Sequence, residues 1–120
     1  MKENIVKIKS FKFAVRVVNL YQYLVETKKE YVLAKQLLRC GTNPGAMLRE
    51  AEHSQSKADF VHKLSIAQKE INETIYWLEL LKETNYLTNE QFESINNDAI
   101  EVIKLITSII KTTKKTMNNC

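Results

Sequence analysis

One apolar seam between Ser56 and Thr84 constrains the fold of this chain more than any other feature. Its members recur at alternating steps of four and three residues, which is the spacing of one face of an α-helix. They are Phe60, Leu64, Ala67, Ile71, Thr74, Leu78 and Leu81. At 1.5 Å per residue this helix would be roughly 40 Å long. A helix of that length with a single apolar face must pack against other helices.

Three further segments have apolar residues at the same spacing. They are Phe13, Val17, Leu20 and Leu24 in the first, Leu33, Leu37, Cys40, Pro44, Leu48 and Ala51 in the second, and Phe92, Ile95, Ala99, Val102, Ile106 and Ile109 in the last. We predict helices over residues of about 9–28, 29–53, 57–84 and 89–113. Connections of a few residues favour antiparallel neighbours. The sequence therefore predicts a single all-α domain over residues 1–120, an antiparallel up-down-up-down four-helix bundle.

Local signals refine these helices. Ser56 with Asp59, and Thr88 with Gln91, have the spacing of capping boxes at helix starts. Pro44 has no N–H to donate and crowds the preceding turn, so it interrupts the second helix. We favour one kinked helix, because the apolar pattern keeps its phase; the alternative is two shorter helices with a break at Gly41–Gly45.

Several functional classes lack support in the sequence. No stretch approaches 18 apolar residues, and the start of the chain has no apolar signal core, so we expect a cytoplasmic protein without a membrane span. Glu50 and His53 form half of a di-iron motif that has no second half. No phosphate-binding glycine loop or nucleophile–base set is present. We expect no metal, no cofactor and no catalytic activity.

The two cysteines do not indicate a disulfide framework. Cys40 lies within an apolar helical pattern, and Cys120 is the last residue of the sequence. Disulfides are rare in the cytosol. We therefore predict one buried thiol and one terminal free thiol.

Positive charge is concentrated at the start of the chain. The formal net charge is +4, and residues 1–30 hold seven Lys or Arg against three Asp or Glu. Such a cluster suggests contact with phosphates, although an ordinary solvated helix face is the alternative. The candidate nucleic-acid contacts are Lys7, Lys9, Lys12 and Arg16, with Lys35 and Arg39 as secondary candidates.

Surplus apolar surface suggests self-association. Ala14, Val18, Tyr21 and Val25 form a second stripe beside the core stripe of the first helix, and Ile66, Trp77 and Leu80 lie about 100° from the main seam of the third. We predict an oligomer interface at Tyr21, Ile66, Trp77 and Leu80. The alternative is that another helix of the same bundle covers them.

Three charged residues of the second and third helices have two open interpretations. They form either interfacial ion pairs or exposed charges, and they are Arg49, Glu70 and Glu73.

Motifs in the last three segments are typical of one known family. They are QLLRCGT at residues 36–42, GA at 45–46, REA at 49–51, DF at 59–60, KL at 63–64, KE at 69–70, ET at 73–74, YWL at 76–78 and SIIKT at 108–112. On these motifs the chain resembles the four-helix-bundle proteins of the 23S ribosomal RNA intervening-sequence family. The accessory variability proteins of diversity-generating retroelements are their relatives.

This resemblance implies a ring-like homopentamer of four-helix bundles with a role near structured RNA or other nucleic acid, and it carries over no catalytic motif. The chain departs from the family at Asn43-Pro44, where Ser-Ile is common, and at Met47, where Asn is usual. A polar contact made by that Asn would be missing here.

Two hypotheses follow: an oligomer that binds RNA or DNA phosphates, or a structural adaptor that binds a partner protein through apolar helix faces. Added salt weakens only the first strongly.

Overall fold

A computed structural model describes residues 2–118, and these form four helices. They are α1 (Lys2–Glu26), α2 (Val32–Ala51), α3 (Lys57–Glu83) and α4 (Asn89–Asn118). Each helix packs against the next along the chain, and α4 closes the ring by packing against α1. The predicted all-α, antiparallel up-down-up-down four-helix bundle is confirmed. Its extents are 52 × 22 × 20 Å, so the helices run along one long axis.

The seam of α3 lies at the centre of the core, as its spacing predicts. Leu64, Ile71, Leu78 and Leu81 are each at most 1% exposed. Thr74 is the one polar member of this seam, and its buried hydroxyl donates a 2.7 Å hydrogen bond to the Glu70 carbonyl one turn earlier. Because the hydroxyl has a hydrogen-bond partner within its own helix, its burial costs little free energy.

Side chains cap three helix starts. The Ser56 hydroxyl accepts a hydrogen bond from the Asp59 N–H at 3.0 Å. Thr88 and Gln91 exchange the two bonds of a capping box at 2.9 and 3.1 Å. The start of α2 has a different cap, because the Glu30 carboxylate accepts from backbone N–H groups three and four residues later.

Three helix boundaries differ from the sequence-based expectation by three residues or more, and one of them is the end of α4, which lies at Asn118 rather than near residue 113. α1 begins at Lys2 rather than near residue 9, because Val6 and Ser10 are buried against the bundle and extend the core stripe by two turns. α2 begins at Val32 rather than residue 29, since Lys29 adopts a φ of 57° that ends the preceding turn. α2 runs without a break through Pro44, consistent with the favoured single helix.

None of the helices described here combines the length and the apolar character that a membrane crossing requires. Cys120 lies outside the described residues, so the prediction of a terminal free thiol has no structural counterpart.

Candidate nucleic-acid interface

The predicted phosphate contacts of α1 point in different directions. Lys7 reaches α2, where its Nζ lies 2.6 Å from Glu52 Oε1. Lys9 reaches α4, where its Nζ lies 3.1 Å from Glu101 Oε1. Exposed pairs of this kind contribute about 0–1 kcal/mol each to stability. Their main effect here is that each carboxylate cancels part of the positive potential of the neighbouring lysine.

Arg16 is held most firmly of the α1 cations. Its Nη1 lies 2.7 Å from Asp98 Oδ2 and also donates to the Ser94 carbonyl at 3.0 Å, while Nη2 donates to the Ser94 hydroxyl at 2.8 Å. The guanidinium therefore joins α1 to α4 through three hydrogen bonds. A phosphate would have to displace these contacts.

The other predicted cations do not complete one patch either. Lys12 and Lys35 are exposed, and within residues 2–118 no carboxylate pairs with them. Arg39 pairs with two carboxylates of α3, Glu70 at 3.3 Å and Glu73 at 2.9 Å. The ion pairs between α2 and α3 are thus made by Arg39.

Arg49, which the sequence analysis grouped with Glu70 and Glu73, lies elsewhere. Its guanidinium carbon is 5.3 Å from the centre of the Phe11 ring on α1. This stacking is a cation–π contact across the α1–α2 groove.

Charge is distributed unevenly along the long axis of the bundle. The start of α1, the end of α2, the start of α3 and the end of α4 meet at one end, and we call residues 2–8, 49–63 and 109–118 the basic end. It contains eight cations and four carboxylates. They are Lys2, Lys7, Arg49, Lys57, Lys63, Lys111, Lys114 and Lys115, with Glu3, Glu50, Glu52 and Asp59. The opposite end, residues 22–34 and 79–93, contains three lysines and six glutamates.

Apart from Lys2, which bonds to Ser108, four lysines of the basic end are exposed and, in the part of the chain that the structure describes, have no carboxylate within ion-pair distance. We call Lys57, Lys111, Lys114 and Lys115 the rim lysines. This group is absent from the predicted contacts, because its members come from the start of α3 and the end of α4, which are far apart in the sequence. The signal in the sequence was the lysine-rich run 111–115, which also suits the negative end of a helix.

One rim lysine, Lys57, lines a cavity of about 630 Å³ at this end of the bundle. The cavity exists because the helices end at different levels. Lys2 at the start of α1 bonds to Ser108, and α4 continues ten residues beyond that point beside the start of α3. Apolar side chains from all four helices form the cavity floor, among them Val6, Leu48, Phe60 and Ile109.

Two carboxylates at this end have lowered pKa values. The hydrogen bond from Lys7 lowers the pKa of Glu52, and the hydrogen bond from Lys63 lowers that of Asp59. Both side chains therefore stay ionised at neutral pH and hold their lysines in place. Within residues 2–118 no three His, Cys, Asp or Glu side chains are grouped closely enough to hold a metal ion.

Cys40 is fully buried on α2, and burial raises the pKa of its thiol to about 11. The thiolate is the reactive form, so the native thiol should resist alkylation at pH 8. In a Cys120→Ser protein, which leaves Cys40 alone, we expect iodoacetamide to modify the chain only after denaturant unfolds it. Mass spectrometry of timed samples measures this. Modification of the native protein at the rate seen in denaturant would contradict the burial of Cys40.

The outward face of α1 is apolar. We call Ile5, Ile8, Phe11, Val15 and Val18 the α1 stripe; these side chains are 38–54% exposed. Their steps of three and four residues are visible in the sequence, but the interface prediction used Tyr21 of the neighbouring stripe, which shares only Val18 with the α1 stripe.

The predicted interface residues are only half exposed. Tyr21, Ile66, Trp77 and Leu80 are all partly buried within the single chain. Tyr21 and Trp77 pack against the core of their own bundle. The Trp77 indole donates a 3.3 Å hydrogen bond to Glu73 and meets the Tyr76 ring edge-on at 5.2 Å. Among the described residues, the α1 stripe therefore holds five of the eight exposed large apolar side chains.

Comparison with known proteins identifies relatives. Residues 2–108 match the family model described as 23S rRNA-intervening sequence protein. A solved structure from Bacteroides thetaiotaomicron VPI-5482, described as a protein with unknown function from the S23 ribosomal protein family, is 63% identical. The match covers 92% of this chain and 99% of that one, with a TM-score of 0.92. No curated protein matches the chain significantly.

Proposed function

The chain belongs to the family of 23S rRNA-intervening sequence proteins, and we propose that it is a non-catalytic, homo-oligomeric helical bundle that binds structured RNA or other nucleic acid through backbone phosphates. The observation that carries this proposal is the uneven charge along the bundle. The basic end has twice as many cations as carboxylates, and its rim lysines are exposed and unpaired within the described residues. Phosphates attract such a surface, and their contacts weaken as salt is added.

The rim lysines suit phosphates better than the paired cations do. Lys57, Lys111 and Lys115 can each bind a phosphate without first breaking an ion pair. Lys7, Lys9 and Arg16 would have to exchange a carboxylate for the phosphate, which leaves that carboxylate facing the nucleic acid. We therefore assign the main contact to the rim lysines, with the exposed Lys12 and Lys35 as secondary contacts.

Self-association would strengthen a modest patch. The α1 stripe offers an apolar surface for a second copy of the chain, and the family resemblance favours a ring of five. Linked copies that bind one nucleic acid raise the overall affinity by roughly 10²–10⁴ without any new type of contact. Phosphate contacts that are weak in one subunit then become useful in the assembly.

A salt series with two matched triple variants tests the proposal. The first variant is Lys57→Gln/Lys111→Gln/Lys115→Gln at the basic end. The second, Lys29→Gln/Lys69→Gln/Lys104→Gln, removes three exposed lysines from other parts of the surface. Binding to a structured RNA and to a DNA duplex is measured by fluorescence anisotropy from roughly 50 to 200 mM salt.

Each lysine that contacts a phosphate contributes a slope of about 0.9 to the log–log salt dependence. We expect the basic-end variant to lose about two to three units of slope, and the second variant to lose less than one. Equal losses in the two variants would mean that the rim lysines have no special role. An absence of binding by the native chain at low salt would refute the proposal.

The α1 stripe also favours a second candidate function, a structural adaptor that binds a partner protein. Such an interface would be apolar, and its affinity would change little over the same salt range. Retention of a partner protein after nuclease treatment and at high salt would support this candidate over nucleic-acid binding.

A further inference from the structure

Phosphates bound by the rim lysines would not occupy the cavity of the basic end, whose shape and lining suit another group. We propose that it receives the base of one unpaired nucleotide while the rim lysines hold the neighbouring phosphates. This inference rests on the proposed nucleic-acid function and names the part of the nucleic acid that the site would recognise. Proteins read single-stranded loops and bulges in RNA because unstacked bases there can turn outward into pockets.

The size and floor of the cavity suit a base. Its volume of about 630 Å³ lies in the range of roughly 300–1,000 Å³ typical of small-molecule sites. The floor is apolar, and Phe60 contributes a half-buried aromatic ring to it. Stacking on an aromatic side chain is the usual way in which proteins hold an unpaired base, and every base has a face that allows it.

The charges within the cavity lining cancel. Lys7 is paired with Glu52, and the remaining two charged lining residues, Glu3 and Lys57, have opposite signs. The lining therefore has no net positive charge that would attract a phosphate into the cavity. A base is neutral and does not need such an attraction. Further positive charge lies outside the cavity on α4, on Lys115 beside the lining residue Thr116 and on Lys111 and Lys114 farther round the same helix. This arrangement separates a base subsite from a phosphate subsite.

Polar side chains at the rim can contact the edge of a base. The side-chain amides of Asn4 and Gln55 and the hydroxyl of Thr112 line the cavity, are exposed, and have no hydrogen-bond partner among the described residues. An amide offers both a donor and an acceptor, which matches the mixed edges of nucleic-acid bases. A base inside a duplex does not present its pairing edge to such a site.

The test compares two RNA hairpins that differ only by one bulged nucleotide, which is 2-aminopurine. We expect the native chain to bind the bulged hairpin roughly tenfold more tightly than the fully paired one, the size of effect that one stacked base gives. The 2-aminopurine fluorescence should change on binding as the base leaves the helix. This optical measurement requires no variant and so does not depend on the folding of one.

A pair of variants assigns the effect to the cavity. Thr112→Phe fills the cavity from its exposed rim, and Asn97→Phe places the same ring on an exposed position of α4 away from it. We expect Thr112→Phe to abolish the tenfold preference and Asn97→Phe to retain it, with circular dichroism confirming that both fold. A preference that survives in Thr112→Phe would overturn the inference.

The outcomes separate this inference from the proposed function. Equal, salt-dependent binding of bulged and paired hairpins would overturn the base subsite and leave phosphate binding intact. An absence of binding to both hairpins at low salt would overturn the two proposals together.

Discussion

Replacing Ile8 and Val15 with Glu should convert the protein to a monodisperse monomer at micromolar concentrations where we expect the native chain to be an oligomer. Both side chains lie in the middle of the α1 stripe, 54% and 45% exposed, and neither belongs to the buried core. The change should therefore leave the bundle folded. Sedimentation velocity over a concentration series measures the size, and circular dichroism checks the helix content.

The expected effect is large because the stripe is continuous. Its five side chains together expose roughly 400–500 Å² of apolar surface, about half of the ~800 Å² that each partner contributes to a standard interface. Carboxylates in the centre of such a surface would be buried without partners, which costs several kcal/mol. We expect the association constant to fall by at least about a thousandfold, which corresponds to about 4 kcal/mol.

A matched control places the same two charges on another surface. His62 and Asn72 are exposed on α3, and His62→Glu/Asn72→Glu should keep the native size. Single Ile66→Glu and Leu80→Glu proteins test the interface that the sequence predicts. If these variants dissociate and the Ile8/Val15 variant remains an oligomer, the interface lies on α3 and the α1 stripe is not part of it. A native chain that is itself monomeric at these concentrations would refute self-association.

The features predicted correctly from the sequence are those that depend on nearby residues. The α3 seam needs only the 3.6-residue period, and the caps at Ser56 and Thr88 need only residues three positions apart. The bundle follows from these helices and their short connections. The start of α1 was misjudged because Lys2–Ser10 is polar in most of its positions; only packing of Val6 and Ser10 makes this segment part of the bundle.

The candidate site depends on residues far apart in the sequence, and for that reason sequence reasoning located little of it. Lys9 and Glu101 are 92 positions apart, so the carboxylate that neutralises this lysine could not be identified before the helices were assembled. The surplus charge of residues 1–30 suggested a basic first helix. In the assembled bundle, part of that charge is paired, and a group of unpaired lysines lies instead at the end where α3 starts and α4 ends. The cavity there forms because the helices end at different levels along the bundle. The spacing of apolar residues in the sequence does not indicate those levels.

Alanine substitutions of Gly41 and Gly45 should change stability in opposite directions, although both glycines lie on α2 and approach α1. A Cβ at Gly41 would lie 2.8 Å from both γ-carbons of Val17, whereas a Cβ at Gly45 would come no closer than 3.5 Å to its nearest neighbour, the Ser10 carbonyl oxygen. In a helix interior Ala is favoured over Gly by about 0.5–1 kcal/mol. Gly45→Ala should gain this amount, because its Cβ makes an ordinary contact.

Gly41→Ala should instead lose about 1–3 kcal/mol, since the β-branched side chain of Val17 is fully buried and cannot turn away. Urea unfolding followed by circular dichroism measures both changes. A double-mutant cycle with Val17→Ala identifies the cause. Val17→Ala alone opens a small cavity, and the methyl group that Gly41→Ala introduces would occupy part of it, so the double variant should be about 1–3 kcal/mol more stable than the sum of the two single changes. Additive effects, or a stabilising Gly41→Ala, would mean that the close approach of α1 and α2 does not depend on this glycine.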